Sequence, residues 1–515
     1  MPRSPLVRDD PDFSVRLRLD LRLGSQFEPV IQEIVTGVRA GSRMRQDAIA
    51  ATTIATDVII ANLLRAFQRS KKLYVSISLN ANSYHSGLAN PSAVGSRGIR
   101  RVVDYLATTR SPLIQRRIGG QFRGPGGQIV GSHLTRIRAT DQLIAKLNRM
   151  QVRGDTASPS DYEADGQSHK NASSFSITEL PIIRLKSSEG KLISFRERKV
   201  TRAMRDRLER YNEFLNLQSI DLLLPDEEFQ LAVTGRNDAN PNATDASKDK
   251  DRVVDLLFQR KLYRVFNNGR FDHGGRFYGG WWQHIPSNYR KYITINWAPV
   301  VELDFSNMQI AMLYAKRGRQ LVGDAYSLEG VGQEYRKLIK RTLLALINAE
   351  GRIRAPRRRE LPRGWTWGDF KEAIQEKHST IARYFRSGIG IRLQRVDSDI
   401  AEDVMMSFME RDVLVLPVHD SFLTYPAQRS DLLGAMQTAY AARMSQHIGI
   451  DADPSFIETE LSEDAVELDS EGVRSIEDSI SEYESAPHFA GYRQRRTDFL
   501  VGRSDAWRMR FYTGA

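Results

Sequence analysis

The chain contains no cysteine in 515 residues, which excludes disulfides, cysteine–zinc sites and thiol chemistry and fits a reducing compartment. Its opening, Met-Pro-Arg-Ser-Pro-Leu-Val-Arg-Asp-Asp, lacks the apolar core of a signal peptide, and no run approaches the roughly 20 apolar residues of a membrane span. These absences lead to the expectation of a soluble, cytoplasmic protein with no membrane partner. A Gly-rich stretch, Gly124-Pro125-Gly126-Gly127, is followed by no Gly-Lys-Ser/Thr, so it is not a phosphate-cradling loop of the nucleotidase type.

What is present points to nucleic acid. Hydrophobic residues make up 41% of the chain, enough for two or three domains with real cores. The net charge is +12 and the sequence pI near 9.7, a balance suited to phosphate-rich partners as well as to solubility. The charge is uneven: residues 451–485 are strongly acidic, residues 486–515 are basic and aromatic, and the remainder is more basic than the total suggests. Acidic segments of this kind are most often solvated.

Residues 1–150 form an N-terminal basic region expected to be mainly helical. Val15 to Leu23 alternates apolar and basic positions, and Thr53 to Arg69 keeps helical spacing. A second helix opening at Asn90 carries Arg97, Arg100 and Arg101 opposite Val94, Ile99, Val102, Val103 and Leu106. Helix, basic helix, strand, Gly-rich turn and strand is the order of a winged helix-turn-helix, in which the basic helix lies in the major groove. A basic helical bundle is the alternative. Residues 151–175 read as a polar linker, Ile182 to Lys186 as a strand and Thr201 to Leu217 as a charged helix, with a second polar break over 236–250.

The chemistry is concentrated between 266 and 450. Val300, Val301 and Leu303 make a short β-favouring run that ends at Asp304, just before a helix-compatible segment from Met308. A lone aspartate there is usually a turn or cap residue. A second one comes at Asp420, in the tight turn His419-Asp420-Ser421 between two apolar runs. Side by side, the two carboxylates would suit a pair of magnesium ions, the machinery of in-line phosphoryl transfer. Arg336 and Lys340 are four residues apart, so on a helix both project from one face.

These elements resemble family A DNA polymerases. Asp304-Phe305-Ser306-Asn307-Met308-Gln309 resembles their motif A, Asp-Tyr-Ser-Gln-Ile-Glu; Val418-His419-Asp420-Ser421 resembles motif C, Val-His-Asp-Glu; and Arg336 with Lys340 and Asn348 follows motif B. Gly275-Arg276 and Trp282-Gln283-His284-Ile285-Pro286 resemble the Thr-Gly-Arg and Leu-Gln-Asn-Ile-Pro elements upstream, and Gln394 with Asp399-Ile400 the helix before motif C. Six elements in the family's order over about 150 residues are more specific than any one.

The resemblance implies an α+β right-hand polymerase: a palm with an antiparallel sheet and small fingers over 266–450, and a helical thumb over 176–265. It implies a DNA template and primer, nucleoside triphosphates, and two magnesium ions, with manganese as a substitute, held by Asp304, Asp420 and the carbonyl of Phe305. Arg336 and Lys340 would grip the triphosphate, Lys340 also acting on the leaving pyrophosphate. His419 would meet the primer end, and Arg276 and Gln394 the minor groove. No carboxylate cluster in the N-terminal half suggests a proofreading exonuclease.

Two departures concern sugar choice. Gln309 replaces the glutamate of motif A and Asn348 the aromatic of motif B, both in the pocket that excludes a 2′-hydroxyl. The His-Asp-Ser-Phe-Leu-Thr-Tyr turn and Gly274-Gly275-Arg276-Phe277-Tyr278 also resemble single-subunit phage-type RNA polymerases. Sugar choice is therefore open; the lead expectation is a DNA-directed DNA polymerase, with an RNA polymerase or primase on the same palm as the alternative. A non-catalytic DNA-binding replication or regulatory protein is the third reading.

Overall fold

The computed structural model describes residues 14–40, 43–69, 71–80, 84, 90, 93–123, 129–154, 175–177, 180–234, 254, 256, 259–452, 486–501 and 503. The Gly-rich stretch at 124–127, most of the 151–175 linker, the polar break at 236–250 and acidic residues 453–485 lie outside them. The chain divides into two compact units, one of Met1–Pro181 with Thr234–Val253, the other of Ile182–Val233 with Val254–Ala515.

The first unit runs β1 (Ser14–Arg16), β2 (Leu21–Leu23), α1 (Glu28–Arg39), α2 (Gln46–Arg69), β3 (Tyr74–Ile77), α3 (Ser96–Thr108), β4 (Ile114–Arg117), β5 (Gly120–Arg123), β6 (Ile129–His133), β7 (Thr135–Ala139), α4 (Asp141–Gly154) and β8 (Phe175–Ile177). Strands β1, β3, β7 and β4 form a four-stranded sheet in that order, and β5 pairs with β6 as β2 does with β8. The unit is thus mixed rather than mainly helical: strands of three to five residues carry too few alternations to stand out in the sequence. A strand, β3, stands where the winged reading had helix follow helix. α2 is long and apolar enough by length and composition to cross a membrane, which the sequence reading missed. Some 56% of that stretch is buried within the protein, as in a core helix. α3 packs closely on it, since a Cβ on Gly98 would lie 2.9 Å from the Ala51 carbonyl.

The second unit runs β9 (Ile183–Lys186), β10 (Leu192–Ile193), α5 (Lys199–Leu217), β11 (Ile220–Leu222), α6 (Asp226–Thr234), β12 (Tyr263–Asn267), β13 (Arg270–Tyr278), α7 (Ser287–Arg290), β14 (Ile293–Ile295), β15 (Ala298–Pro299), β16 (Val301–Phe305), α8 (Met308–Ala315), α9 (Arg336–Asn348), α10 (Trp367–Lys377), α11 (Gly390–Met409), β17 (Leu416–Val418), β18 (Ser421–Thr424), α12 (Arg429–Met444), β19 (Ile450–Ala452) and α13 (Ala490–Val501). Its sheets have the orders β10-β9-β12-β13, β11-β14-β15 and β17-β18-β16-β19, the last antiparallel throughout. In β16 the alternation of a strand sends Val301, Leu303 and Phe305 into the core, where Phe305 meets Tyr440 of α12 at 6.1 Å. Glu302 and Asp304 take the other face.

Helix α11 is the buried spine. It flanks β13, α5 and α12, and a fully buried arginine ties it to the sheet. Arg264 on β12 reaches Ser398 Oγ at 2.9 Å, Asp399 at 3.2 Å and Glu402 at 3.1 Å, while Arg207 of α5 joins Glu402 at 2.9 Å. The stretch expected as a thumb, 176–265, includes α5, whose Tyr211 donates to the Val415 carbonyl just before β17. In the basic C-terminal segment, α13 binds its own unit through Arg495 on Asp221 at 2.9 Å and the Gly491 amide on Asp226 at 3.0 Å.

Removing one partner of a buried ion pair strands the other charge. Arg264→Met is therefore expected to destabilise the protein by about 3–5 kcal/mol in urea unfolding, with partial recovery in Arg264→Met/Glu402→Gln. A double variant no more stable than the single one would show that the network does not depend on this pair.

Candidate active site

The site begins with register. β16 is flanked on one side by β18, with Asp304 opposite Ser421, and on the other by β19, with Asp304 opposite Asp451. Asp304 therefore stands near the end of an interior strand, not on a sheet edge. Val418 pairs with Ser421, which leaves His419 and Asp420 as a two-residue hairpin loop. Such loops need a positive φ, and His419 has φ of 60°, a conformation that glycine or asparagine adopts more readily. The Phe305 amide donates to the Asp420 carbonyl at 3.2 Å, so Asp420 is fastened one residue beyond Asp304.

Asp304 and Asp420 are close enough for their charges to interact. Asp304 is open to solvent on one side, yet it is pushed up to about 7, first by burial, then by the charges of Asp420 and Glu302, with Lys340 opposing. Glu302, two residues back on the same face, is held by Arg290 and by the Ser421 hydroxyl, which donates to it. Among the described residues no group of three or more His, Asp or Glu is arranged as a metal cage. Two carboxylates beside a strand-end carbonyl instead make an open site, and magnesium is commonly held by one or two carboxylates completed by substrate phosphates. The residues present fit that role.

Facing the aspartates is α9. Arg336 is clamped by Asp324 through two contacts of 3.0 Å. Tyr326, nearly fully buried, lies under both cations, with Arg336 at 5.0 Å and Lys340 at 5.5 Å from its ring. Its phenol is pushed up to about 12, chiefly by burial, and feels the charges of Asp304 and Asp420. Carboxylates, tyrosine and cations are therefore electrostatic neighbours. At the far end of α9, the Asn348 amide donates to Gln309 Oε1 at 3.1 Å and to the Leu344 carbonyl at 2.8 Å. The two residues singled out for sugar choice touch.

Arg276 arrives from β13. Gly275 before it has φ of 91°, and a Cβ there would lie 2.7 Å from the Phe266 ring and 2.9 Å from Ser398 Oγ. Only glycine lets β13 pass this close to α11. Arg276 Nε then donates to Asp397 at 2.6 Å. Asp397 is buried and pushed up to about 7 by that burial, against the pull of Arg276. Gln394 lies on α11 one turn before Asp397, whereas Asp399 belongs to the Arg264 network. His419 is held below its ordinary value by burial and then by Arg276, and its ring meets Tyr278 edge-on at 6.0 Å. Trp282 Nε1 and Gln283 Nε2 both donate to the Pro417 carbonyl, at 3.0 and 3.1 Å, which locks the segment after β13 to the hairpin.

The structure brings Asp304, Phe305, Asp420, Lys340, Arg336, Gln309, Asn348, Arg276, Gln394 and His419 into the second unit. Arg97, Arg100 and Arg101 lie on the exposed side of α3 in the first. Sequence reasoning missed Tyr326, Asp324, Asp397, Glu302 and the placement of Asp451, which it had assigned to the acidic segment. Only Glu302 had a signal: the period of two that sets it on the face of Asp304.

A raised carboxylate has a stability signature. The folded state holds the Asp304 proton up to about 7 whereas the unfolded chain releases it near 3.9, so its stabilising contribution is present below the lower value and lost as pH rises to the higher. Without divalent cations, Asp304→Asn should raise the melting temperature relative to wild type at pH 8 and match it near pH 4. Equal differences at both values would remove the repulsion.

No family model matches the chain, and no curated protein matches it. Among solved structures, the chain is similar to the POL domain of Pol1 from M. smegmatis in complex with DNA primer-template and dNTP, with 11% identity and a TM-score of 0.27 over 38% of this chain. The match spans about half, 48%, of that domain's length, and the functional reading stands on the geometry of the site rather than on this likeness.

Proposed function

We propose that the second unit is a template-directed nucleic-acid polymerase that extends a primer 3′-hydroxyl by phosphoryl transfer from a nucleoside triphosphate. The observation that carries this reading is the cluster of Asp304 and Asp420, at one sheet end, with Lys340 and Arg336 around Tyr326. Phosphoryl transfer demands little covalent chemistry from the protein; it needs the reacting groups held in line and their charge met. Bound magnesium would activate the attacking oxygen and stabilise the leaving one. Asp304, Asp420 and the Phe305 carbonyl would hold it. Arg336, released from Asp324, and Lys340 would take the triphosphate, Lys340 meeting the charge that grows on pyrophosphate. His419 would lie against the primer end, with Arg276 and Gln394 in the minor groove, whose acceptors are degenerate and suit every correct pair.

In this reading the α9 region is a small fingers, the sheet of Asp304 the palm and α5 part of the thumb. The exposed arginines of α3 would hold duplex DNA as a separate contact. DNA is the template and primer in the lead reading. An RNA polymerase or primase is favoured by one observation, the Gln309–Asn348 amide pair. A non-catalytic DNA-binding protein would leave the repulsion at Asp304 with no purpose.

Asp304→Asn and Asp420→Asn should each lower magnesium-dependent primer extension by roughly a thousandfold or more while DNA affinity stays near wild type. Lys340→Ala should lower kcat/KM by about a hundredfold, with both terms affected. Extension by either aspartate variant at the wild-type rate would refute the reading.

The sugar preference tests the amide pair. Two amides hydrogen-bond a 2′-hydroxyl where a bulky ring would clash with it, so discrimination against ribonucleotides should be weak. Asn348→Tyr should raise it by about 1–3 kcal/mol, roughly ten- to two-hundredfold in relative kcat/KM. Rejection of ribonucleotides by many thousandfold in the wild type would place the gate elsewhere.

A further inference from the structure

The hairpin turn at His419 continues into a row of rings and cations that the reaction itself does not use. Tyr278 meets His419 edge-on at 6.0 Å, Tyr263 stacks on Tyr278 at 6.1 Å, and the guanidinium of Arg184 lies 3.4 Å from the Tyr263 ring centre. Register explains the row. Tyr263 pairs with Tyr278, Val265 with Arg276, and Val265 with Arg184 on its other side. By strand alternation Arg184, Lys186, Tyr263, Val265, Arg276 and Tyr278 share one sheet face. The opposite face carries Ile183, Leu185, Arg264, Phe266 and Phe277, all buried. The first face is half-buried, except for Val265, and none of its six residues is acidic.

We propose that this face of β9, β12 and β13 is a track for the product strand of a nucleic-acid duplex behind its 3′ end. Ring edges take sugar and groove-edge contacts from any base pair, and arginine and lysine take phosphates without reading sequence. The row reaches about 15 Å from His419 at full stretch, roughly four base steps at the ~3.4 Å rise of one strand. It is continuous with the turn whose histidine meets the primer end, so which strand lies here rests on the polymerase reading. The charge and the rings do not.

The test uses the full chain and fluorescent hairpin primer–templates with one 3′ end and overhang but a stem of 3 or 12 base pairs. Wild type should bind the long stem more tightly. Arg184→Gln and Tyr263→Leu should each weaken long-stem binding about tenfold and leave short-stem binding unchanged, and Arg184→Gln should lower the slope of log affinity against log salt by about one. Tyr263→Phe, which keeps the ring, should bind like wild type, and Arg184→Lys should fall between; these two guard against loss of fold, with melting curves as the check. Variants that bind both stems as wild type does, or lose both equally, overturn the track. Primer extension by the same proteins separates the two claims. A wild type that extends primers while the variants keep long-stem affinity refutes the track alone. A wild type that extends nothing while the variants lose long-stem affinity refutes the polymerase reading and upholds the track.

Discussion

The second unit depends on one backbone hydrogen bond and the register around it: the Phe305 amide on the Asp420 carbonyl, with Asp304 opposite Ser421. A slip of one residue along β16 would turn Asp304 toward the core and Leu303 toward the cleft. The apolar face of Val301, Leu303 and Phe305 makes that slip expensive, because each is nearly fully buried. Core packing therefore fixes the place of a charged residue that contributes nothing to the core. Flanking on both sides, by β18 and β19, removes the freedom an edge strand would have kept.

That register carries an electrostatic penalty. Asp304, Asp420 and Glu302 are brought together, and His419 accepts a positive φ in a two-residue turn where glycine would be easier. Strained and repelling residues persist only where the surroundings over-determine them. Here the surroundings are identifiable. Trp282 and Gln283 hold Pro417 at the start of the turn, Arg290 and Ser421 absorb Glu302, and the Arg264 network fixes α11 to the sheet that delivers Arg276.

The parts legible in the sequence were local. The strand ending near Asp304, the helix from Met308, the hairpin at His419-Asp420 and the α9 face with Arg336 and Lys340 all follow from alternation, from a turn between apolar runs or from spacing of four. Gln309 and Asn348, 39 residues apart, were paired by resemblance, and they touch. What stayed hidden was long-range. Asp397 meets Arg276 across 121 residues, and Arg264 meets Asp399 across 135. Tyr326 is one ring in a loop, and Asp451 one acid at the head of an acidic run. The first unit was misjudged for a related reason: its sheet joins a parallel β1–β3 pair to strands separated by helices and a hairpin, a pattern no window of a dozen residues contains.

The two cations beside the aspartates are held differently. Arg336 already donates two hydrogen bonds to Asp324, whereas Lys340, on the same helix face, lies against Tyr326. In the proposed polymerase, a triphosphate would meet Lys340 directly and would compete with Asp324 for Arg336. The Asp324 pair is solvent-exposed, so it is worth only about 0.2–1 kcal/mol, and phosphate oxygens offer the same forked geometry with more charge. Under that proposal, exchange of one partner for the other would be favourable with substrate and reversible without it. The pair keeps the guanidinium beside the Tyr326 ring, so in the proposed reaction the arginine would lose less rotamer freedom on binding a triphosphate than an unrestrained side chain would.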